Sequence, residues 1–281
     1  MDLKLACANF TFPLLPFEPV LDLIRALDVS AVDLGVFEGT DHLNASTELA
    51  DPESGGGRLK EKLDERGLLL ADIFIVAALD RETIAPNNPD PADNRRSREL
   101  FERGLDYISA AGGDHLTQLP GVNFESESAE DNFNRAAEEL AWRSRRASER
   151  GIVFKVEPHL GSVIETPELA LRMAEAAPGL TYALDYAHFT KAGYPDSAVD
   201  PLLGHASHFH VRGACEGYLQ APFDKNTIDF KRILELMNEQ GYDGYQCLEY
   251  VWIEWEHCNE CDNLSETIRF RDYLRNVGAE I

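Results

Sequence analysis

Val153-Phe154-Lys155-Val156-Glu157-Pro158-His159 is a short apolar run that ends on a carboxylate and an imidazole. Pro158 has no N–H to give to a sheet ladder, so the strand stops there. Three later stretches are built alike. Leu180-Thr181-Tyr182-Ala183-Leu184 runs into Asp185, with His188 three residues on. Ser207-His208-Phe209-His210-Val211-Arg212 carries polar groups at alternate positions, and Tyr245-Gln246-Cys247-Leu248 runs into Glu249. Working outward, four earlier runs at 3–10, 31–37, 68–76 and 115–119 read as strands. Helical spacing fills 17–27, 58–66, 92–111, 128–150, 229–240 and 264–275, and a further helix opens on Thr166-Pro167-Glu168, an N-cap, a first-turn Pro and an acid. Residues 196–203 read as a short helix and Glu53-Ser54-Gly55-Gly56-Gly57 as a loop. Eight strand–helix units in regular alternation predict an α/β fold with a parallel sheet, closed as a single (β/α)8 TIM barrel spanning residues 1–281 as one domain. An open doubly wound sheet would carry a Gly-rich first turn, and Asn9-Phe10-Thr11-Phe12-Pro13 is not one.

Composition narrows the partners. Asp and Glu number 50 against 26 Lys and Arg, a net charge of −24 that repels nucleic-acid phosphates and anionic membranes and attracts divalent cations. The longest apolar run, 67–79, is broken by Asp72 and too short to span a bilayer. Five cysteines, an odd number in a chain this long, read as free thiols of a reducing cytoplasm, Cys258 and Cys261 with their CxxC spacing included. Met1-Asp2-Leu3-Lys4-Leu5-Ala6-Cys7 has no basic segment leading into an apolar one, so no signal peptide is expected. The expectation is a cytoplasmic protein with a small-molecule substrate, no nucleic acid and no membrane; a homo-oligomer is compatible with the sequence.

In a parallel barrel the C-terminal strand ends share one face, which holds the chemistry. Alternate residues of a strand share a side, which groups Lys155 with Glu157 and His159, His208 with His210 and Arg212, and Cys247 with Glu249. On that register His208 and Cys247 lie a layer deeper, and Glu157, Asp185, His210 and Glu249 meet at the mouth with Arg212 above them. Three carboxylates and an imidazole form a hard donor set suited to Mn²⁺ first, with Mg²⁺ and Co²⁺ also fitting. Such an ion leaves positions for a sugar carbonyl and the adjacent hydroxyl, and a rim carboxylate can take the acidified proton. An inward Lys155 needs a buried partner, such as Asp33.

Val156-Glu157-Pro158-His159, Leu184-Asp185-Tyr186-Ala187-His188, His208-Phe209-His210-Val211-Arg212 and Cys247-Leu248-Glu249-Tyr250 resemble the four signatures of the xylose isomerase-like TIM barrels, the sugar phosphate isomerases/epimerases that include ketose 3-epimerases and inosose dehydratases. The resemblance is sharp from Glu157 to Glu249. It implies that Glu157, Asp185, His210 and Glu249 hold a divalent ion. It also implies that Glu157 and Glu249 are the catalytic acids that move a proton on opposite faces of a sugar, and that His188 and Arg212 hold substrate oxygens. The chain departs from the family in two places. Ala221-Pro222-Phe223-Asp224-Lys225-Asn226-Thr227 stands where relatives carry a Gly-rich turn, and an aromatic, acidic segment from Tyr250 to His257 follows Glu249. Within that segment Trp252 and Trp255 either stack on a sugar face or pack on the rim. His159 is a further candidate for substrate contact. The resulting expectation is a metal-dependent isomerase or epimerase of a small sugar, keto-sugar or sugar phosphate. The alternative is a lyase (dehydratase, hydratase or eliminase) acting on a keto-sugar, glycoside or cyclitol, which begins with the same proton abstraction.

Overall fold

Alternation along each strand divides the side chains into an outer, aliphatic set and an inner, small and polar one. In a computed structural model describing residues 3–281, Val32, Leu34 and Val36 join the large core shared with the helices. Ala6, Ala8, Ala31, Ala71 and Cys247 form a separate cluster of small residues. Met1 and Asp2, at the start of the stretch expected to lack a signal sequence, lie outside the described residues. The strands are β1 (Leu5–Ala8), β2 (Ala31–Phe37), β3 (Leu69–Val76), β4 (His115–Gln118), β5 (Val153–Val156), β6 (Thr181–Asp185), β7 (Ala206–Val211) and β8 (Gln246–Leu248). They close in sequence order into one parallel barrel, with β8 pairing back onto β1 through Cys7 and Leu248. The fold is therefore a single (β/α)8 TIM barrel. Among the described residues no helix is long and apolar enough to cross a membrane.

The small inner residues leave room for buried charge beneath the mouth. Lys155 and Asp72 are fully buried, with Nζ 3.0 Å from Oδ1, and Thr117 donates its hydroxyl to Asp72 Oδ2 at 2.5 Å. The expected pairing of Lys155 with Asp33 is thus corrected to Asp72. The reason is that Asp33 Oδ2 is already occupied by two histidines, His208 at 2.8 Å and His210 at 3.2 Å.

Three helical boundaries also differ from expectation. The glycine run 53–57 belongs to a helix, Pro52–Arg66, whose N-cap Asp51 accepts the Ser54 N–H. Gly55 and Gly56 are buried there, and a Cβ on Gly56 would lie 2.3 Å from the Tyr107 carbonyl of the helix Pro91–Ala110. The glycines trade helix propensity of about 1 kcal/mol each for close approach of two helices. Directly after β6 comes an unexpected helix, Tyr186–Lys191, capped by Asp185. The last helix runs Asn263–Glu280, longer than expected because Val277 is buried and Gly278 packs on Leu3.

Candidate functional site

Neighbouring strands set the heights of the polar residues. Asp185 is level with His210, and His210 with Cys247, so Glu249 comes one residue above β8 as Glu157 does above β5. The Glu249 N–H donates to the Val211 carbonyl at 3.0 Å and the Glu157 N–H to Gln118 at 3.3 Å, which fixes both backbones to the neighbouring strand ends.

The side chains converge. His210 Nδ1 lies 2.7 Å from Glu157 Oε1 and 3.3 Å from Glu249 Oε2, while its Nε2 faces Asp33. Donor atoms of Glu157, His210 and Glu249 fall within 4.8 Å of one another, and so do those of Glu157, Asp185 and His188. Glu157 is common to both groups and ties Asp185 to the rest. Asp185 has both oxygens engaged: Oδ1 accepts the Ala187 N–H at 2.8 Å and Oδ2 takes the Arg212 guanidinium. Arg212 Nη2 also lies 3.1 Å from His188 Nε2 and 3.9 Å from Glu249 Oε2. Glu249 Oε2 is buried with no aligned hydrogen-bond donor among the described residues.

All of these groups are buried, and burial sets their electrostatics. It pushes the Glu249 carboxyl up to about 8 against the pull of His210 and Arg212, and it raises Asp185 too. Glu157 goes the other way: burial opposes it, but the hydrogen bond and charge of His210 bring it to about 2. Burial likewise works against His210, yet Glu249, Asp33 and Glu157 together hold it well above the ordinary imidazole range. His188 and His159 are held neutral by burial. Three acids therefore share a dry site with the permanently charged Arg212 and with His210, whose charged form they favour. An oxygen without a donor, and an imidazole nitrogen between two carboxylate oxygens, fit a hard divalent ion.

The other candidates sit around this cluster. His159 Nδ1 donates to the Leu160 carbonyl at 2.7 Å, and its ring is 5.8 Å from that of His188. Its Nε2 is buried with no hydrogen-bond partner among the described residues, and the residue lines a cleft with Arg81, Gln118 and Gly121. Trp252 is 41% exposed on the segment after β8. It is Trp255 whose ring lies by His188, at 6.4 Å, and the Arg81 guanidinium stacks over Trp255 at 5.0 Å. Lys191 pairs with Glu256 on the same segment, and Gln220 grips the Cys258 carbonyl at 2.5 Å. Cys258 and Cys261 are both free and buried. Sequence reading passed over Trp255 as a committed contact because period and composition do not choose between two nearby rings. It passed over Asp33 as a neighbour of His210, although a lone acid within Ala31–Phe37 was the available signal.

A profile of xylose isomerase-like TIM barrels matches residues 21–274. The chain belongs to that family. No protein of curated function matches its sequence. Among solved structures, D-psicose 3-epimerase in the presence of D-fructose superposes with a TM-score of 0.76 at 14% identity, covering 98% of this chain and 99% of that one. The probable 3-DHS dehydratase of petrobactin synthesis from Bacillus anthracis gives 0.73 at 14% identity, over 97% and 99%. A xylose isomerase-like TIM barrel protein from Mycobacterium smegmatis in complex with magnesium gives 0.69 at 16% identity, over 92% and 87%. At these identities the likeness is one of fold.

Proposed function

We propose that this member of the family is a divalent-metal-dependent isomerase or epimerase of a small sugar, keto-sugar or sugar phosphate, with residues 1–281 acting as one domain. Glu157, Asp185, His210 and Glu249 would hold the ion, Mn²⁺ first among Mn²⁺, Mg²⁺ and Co²⁺. The observation that carries the reading is the excess of buried carboxylate at one point, with Glu249 Oε2 left without a donor. Burial pushes the Glu249 carboxyl up to about 8 because its charged form is costly there, and a divalent cation among these oxygens would relieve that cost. The magnesium-bound relative and the ketose epimerase of the same fold lend support.

When bound, the ion polarises a substrate carbonyl and acidifies the adjacent C–H. The chain's own groups then divide the work. Asp185 is unsuited as a base, because both its oxygens are committed to Ala187 and Arg212. Glu157 and Glu249 each retain an oxygen outside the protein's hydrogen bonds, and they rise from β5 and β8 with β6 and β7 between them. They are the pair that would remove a proton from one side of the sugar and return it on the other. Arg212 and neutral His188 would hold hydroxyl or carbonyl oxygens, and His159 with Trp255 or Trp252 would border the sugar and exclude water.

The dehydratase of the same fold, and the segment after β8 that reaches over His188, favour a second reading: a lyase in which the same abstraction is followed by loss of a leaving group from the next carbon. Incubation of the Mn²⁺-loaded protein with a panel of ketoses, keto-sugars and their phosphates in D₂O, followed by NMR and mass spectrometry, separates the two. Deuterium at carbon in an isomeric product means isomerase or epimerase; loss of one water means lyase. Failure to take up any divalent ion, with no turnover of any panel member, would sink both.

A further inference from the structure

The acid beneath the site has a geometry that its burial alone does not require. Asp33 is fully buried on β2, across the barrel from β7. One of its oxygens, Oδ2, receives two imidazoles, His208 Nε2 at 2.8 Å and His210 Nε2 at 3.2 Å, whose rings stand edge to face at 5.2 Å. A carboxylate only accepts, so each contact places a proton on Nε2. A neutral imidazole has one N–H and one lone pair. In the protein alone the same reasoning puts a proton on Nδ1 too, 2.7 Å from Glu157 Oε1 and 3.3 Å from Glu249 Oε2; a cation entering there would take that proton's place, and with Nε2–H kept by Asp33 the lone pair set free is the one on Nδ1.

We propose that Asp33 is a positioning residue: through Nε2 it sets the tautomer and ring angle of His210 so that Nδ1 is presented to a divalent ion, and His208 anchors Asp33 in that pose. This rests on the metal reading given above. A second oxygen contact is what makes His208 part of the device. If Asp33 bound His210 alone, the carboxylate could swing about its χ angles. With His208 held one layer deeper on the same strand, the two Nε2 atoms define where Oδ2 must lie. The remaining oxygen, Oδ1, is buried and has no hydrogen-bond partner among the described residues. It is available to tighten the interaction by a water, or to the one rival arrangement, a second ion on Asp33, His208 and Cys247, whose donor atoms also lie within 4.8 Å of one another.

Ligand histidines whose outer nitrogen loses its carboxylate bind metal about 10- to 100-fold more weakly. The test is calorimetric titration of the metal-free full chain with Mn²⁺, for wild type, Asp33→Asn, Asp33→Ala and His210→Ala, with thermal melts of each metal-free variant. In parallel, ¹⁵N-histidine NMR of the metal-free and Mg²⁺-loaded proteins reads which nitrogen of His210 is protonated. The expected result is one equivalent of Mn²⁺ in wild type, affinity weakened about tenfold in Asp33→Asn and up to a hundredfold in Asp33→Ala, and loss of the Nε2–H signature of His210. A structural role alone would lower the melting temperature while leaving affinity and tautomer unchanged in the folded variants, and that outcome overturns the proposal but not the metal reading. Two equivalents in wild type, falling to one in Cys247→Ala, would make Asp33 a ligand and overturn it as well. No Mn²⁺ bound by wild type would overturn the metal reading and the proposal with it.

Discussion

Two layers of buried charge lie one above the other in this barrel, and they are balanced differently. In the lower layer each charge has its partner: Lys155 faces Asp72, with Thr117 on the other oxygen, and Asp33 is met by His208 and His210. In the upper layer Glu157, Asp185 and Glu249 surround His210, with Arg212 as the only permanent cation among the described residues, where Glu249 Oε2 also finds no aligned donor. Both layers are equally dry, so burial does not distinguish them. The ratio of acid to base does: below, Asp72 faces Lys155 and Asp33 faces two imidazoles, although Asp33 Oδ1 and Asp72 Oδ1 lack an aligned donor among the described residues, whereas above three acids crowd Arg212 and His210. On β5 and β7 the two layers are only two positions apart, Lys155 below Glu157 and His208 below His210, while the lower acids Asp33 and Asp72 come from β2 and β3.

The contrast can be broken most forcefully from below. Lys155→Met strands Asp72 in the barrel interior, and removal of one member of a buried pair costs about 3–5 kcal/mol. Urea unfolding of the metal-free protein should show that loss, and Lys155→Met/Asp72→Leu should recover most of it because no charge is left behind. A cost under about 1 kcal/mol for the single variant would mean that Lys155 and Asp72 are not paired as described.

From above, shortening either glutamate should spare the fold and cost the chemistry. Glu157→Asp and Glu249→Asp keep a carboxylate for the ion but withdraw it by one methylene from the substrate carbon. Turnover on whichever panel sugar proves active should fall about a hundredfold or more, with Mn²⁺ still bound by metal analysis. Arg212→Ala and His188→Ala should raise KM as well as lower kcat, since they would hold substrate oxygens. Full turnover in both Glu→Asp variants with metal present would move the proton to another group.

Metal should also read out as stability in one layer and not the other. At an Mn²⁺ concentration ten times Kd, wild type should gain about 1.4 kcal/mol over the metal-free protein, following the logarithm of ligand over Kd. Lys155→Met should show the same increment on a lower baseline, and His210→Ala at the same concentration should show none. An increment that survives in His210→Ala would place the ion elsewhere.

The sequence made the upper layer more legible than the lower one, for a physical reason. Strand ends are announced locally: Pro158 stops β5, and alternation puts His208 and His210 on one side of β7 with His210 a layer higher, without knowledge of any partner. The eight-strand barrel follows from repeated units, and the helix starts at Ser128, Thr166 and Asp229 follow from capping chemistry. Partnership across the barrel is not local. Whether Lys155 meets Asp33 or Asp72 depends on a register shift between β2 and β3, where the pairing jumps from Val32–Leu70 to Asp33–Asp72, and no single stretch encodes that. Gly55 and Gly56 misled for the same reason, since their use depends on Tyr107 in another helix.

The smallest effect expected lies one storey higher, where the segment after β8 folds over the mouth. Trp255 stands 6.4 Å from His188 and carries the Arg81 guanidinium at 5.0 Å, so it links the loop after β3 to the loop after β8. The chain passes through Glu256 and His257 with φ of 55° and 60°, left-handed values that ordinary side chains adopt only under constraint. The Lys191–Glu256 pair and the grip of Gln220 on Cys258 supply that constraint. Trp255 therefore borders the mouth of the barrel beside His188 without belonging to either charged layer. An aromatic contact of this kind is worth about 0.5–1.5 kcal/mol. Trp255→Ala should accordingly raise KM about threefold and leave Mn²⁺ affinity and the Glu-dependent proton transfer intact, whereas Trp252→Ala, an exposed ring, should change KM less. Steady-state kinetics on both variants decides it: a larger KM effect at Trp252 would put the substrate on the outer side of the segment, and a loss of metal in Trp255→Ala would make this loop part of the upper layer itself.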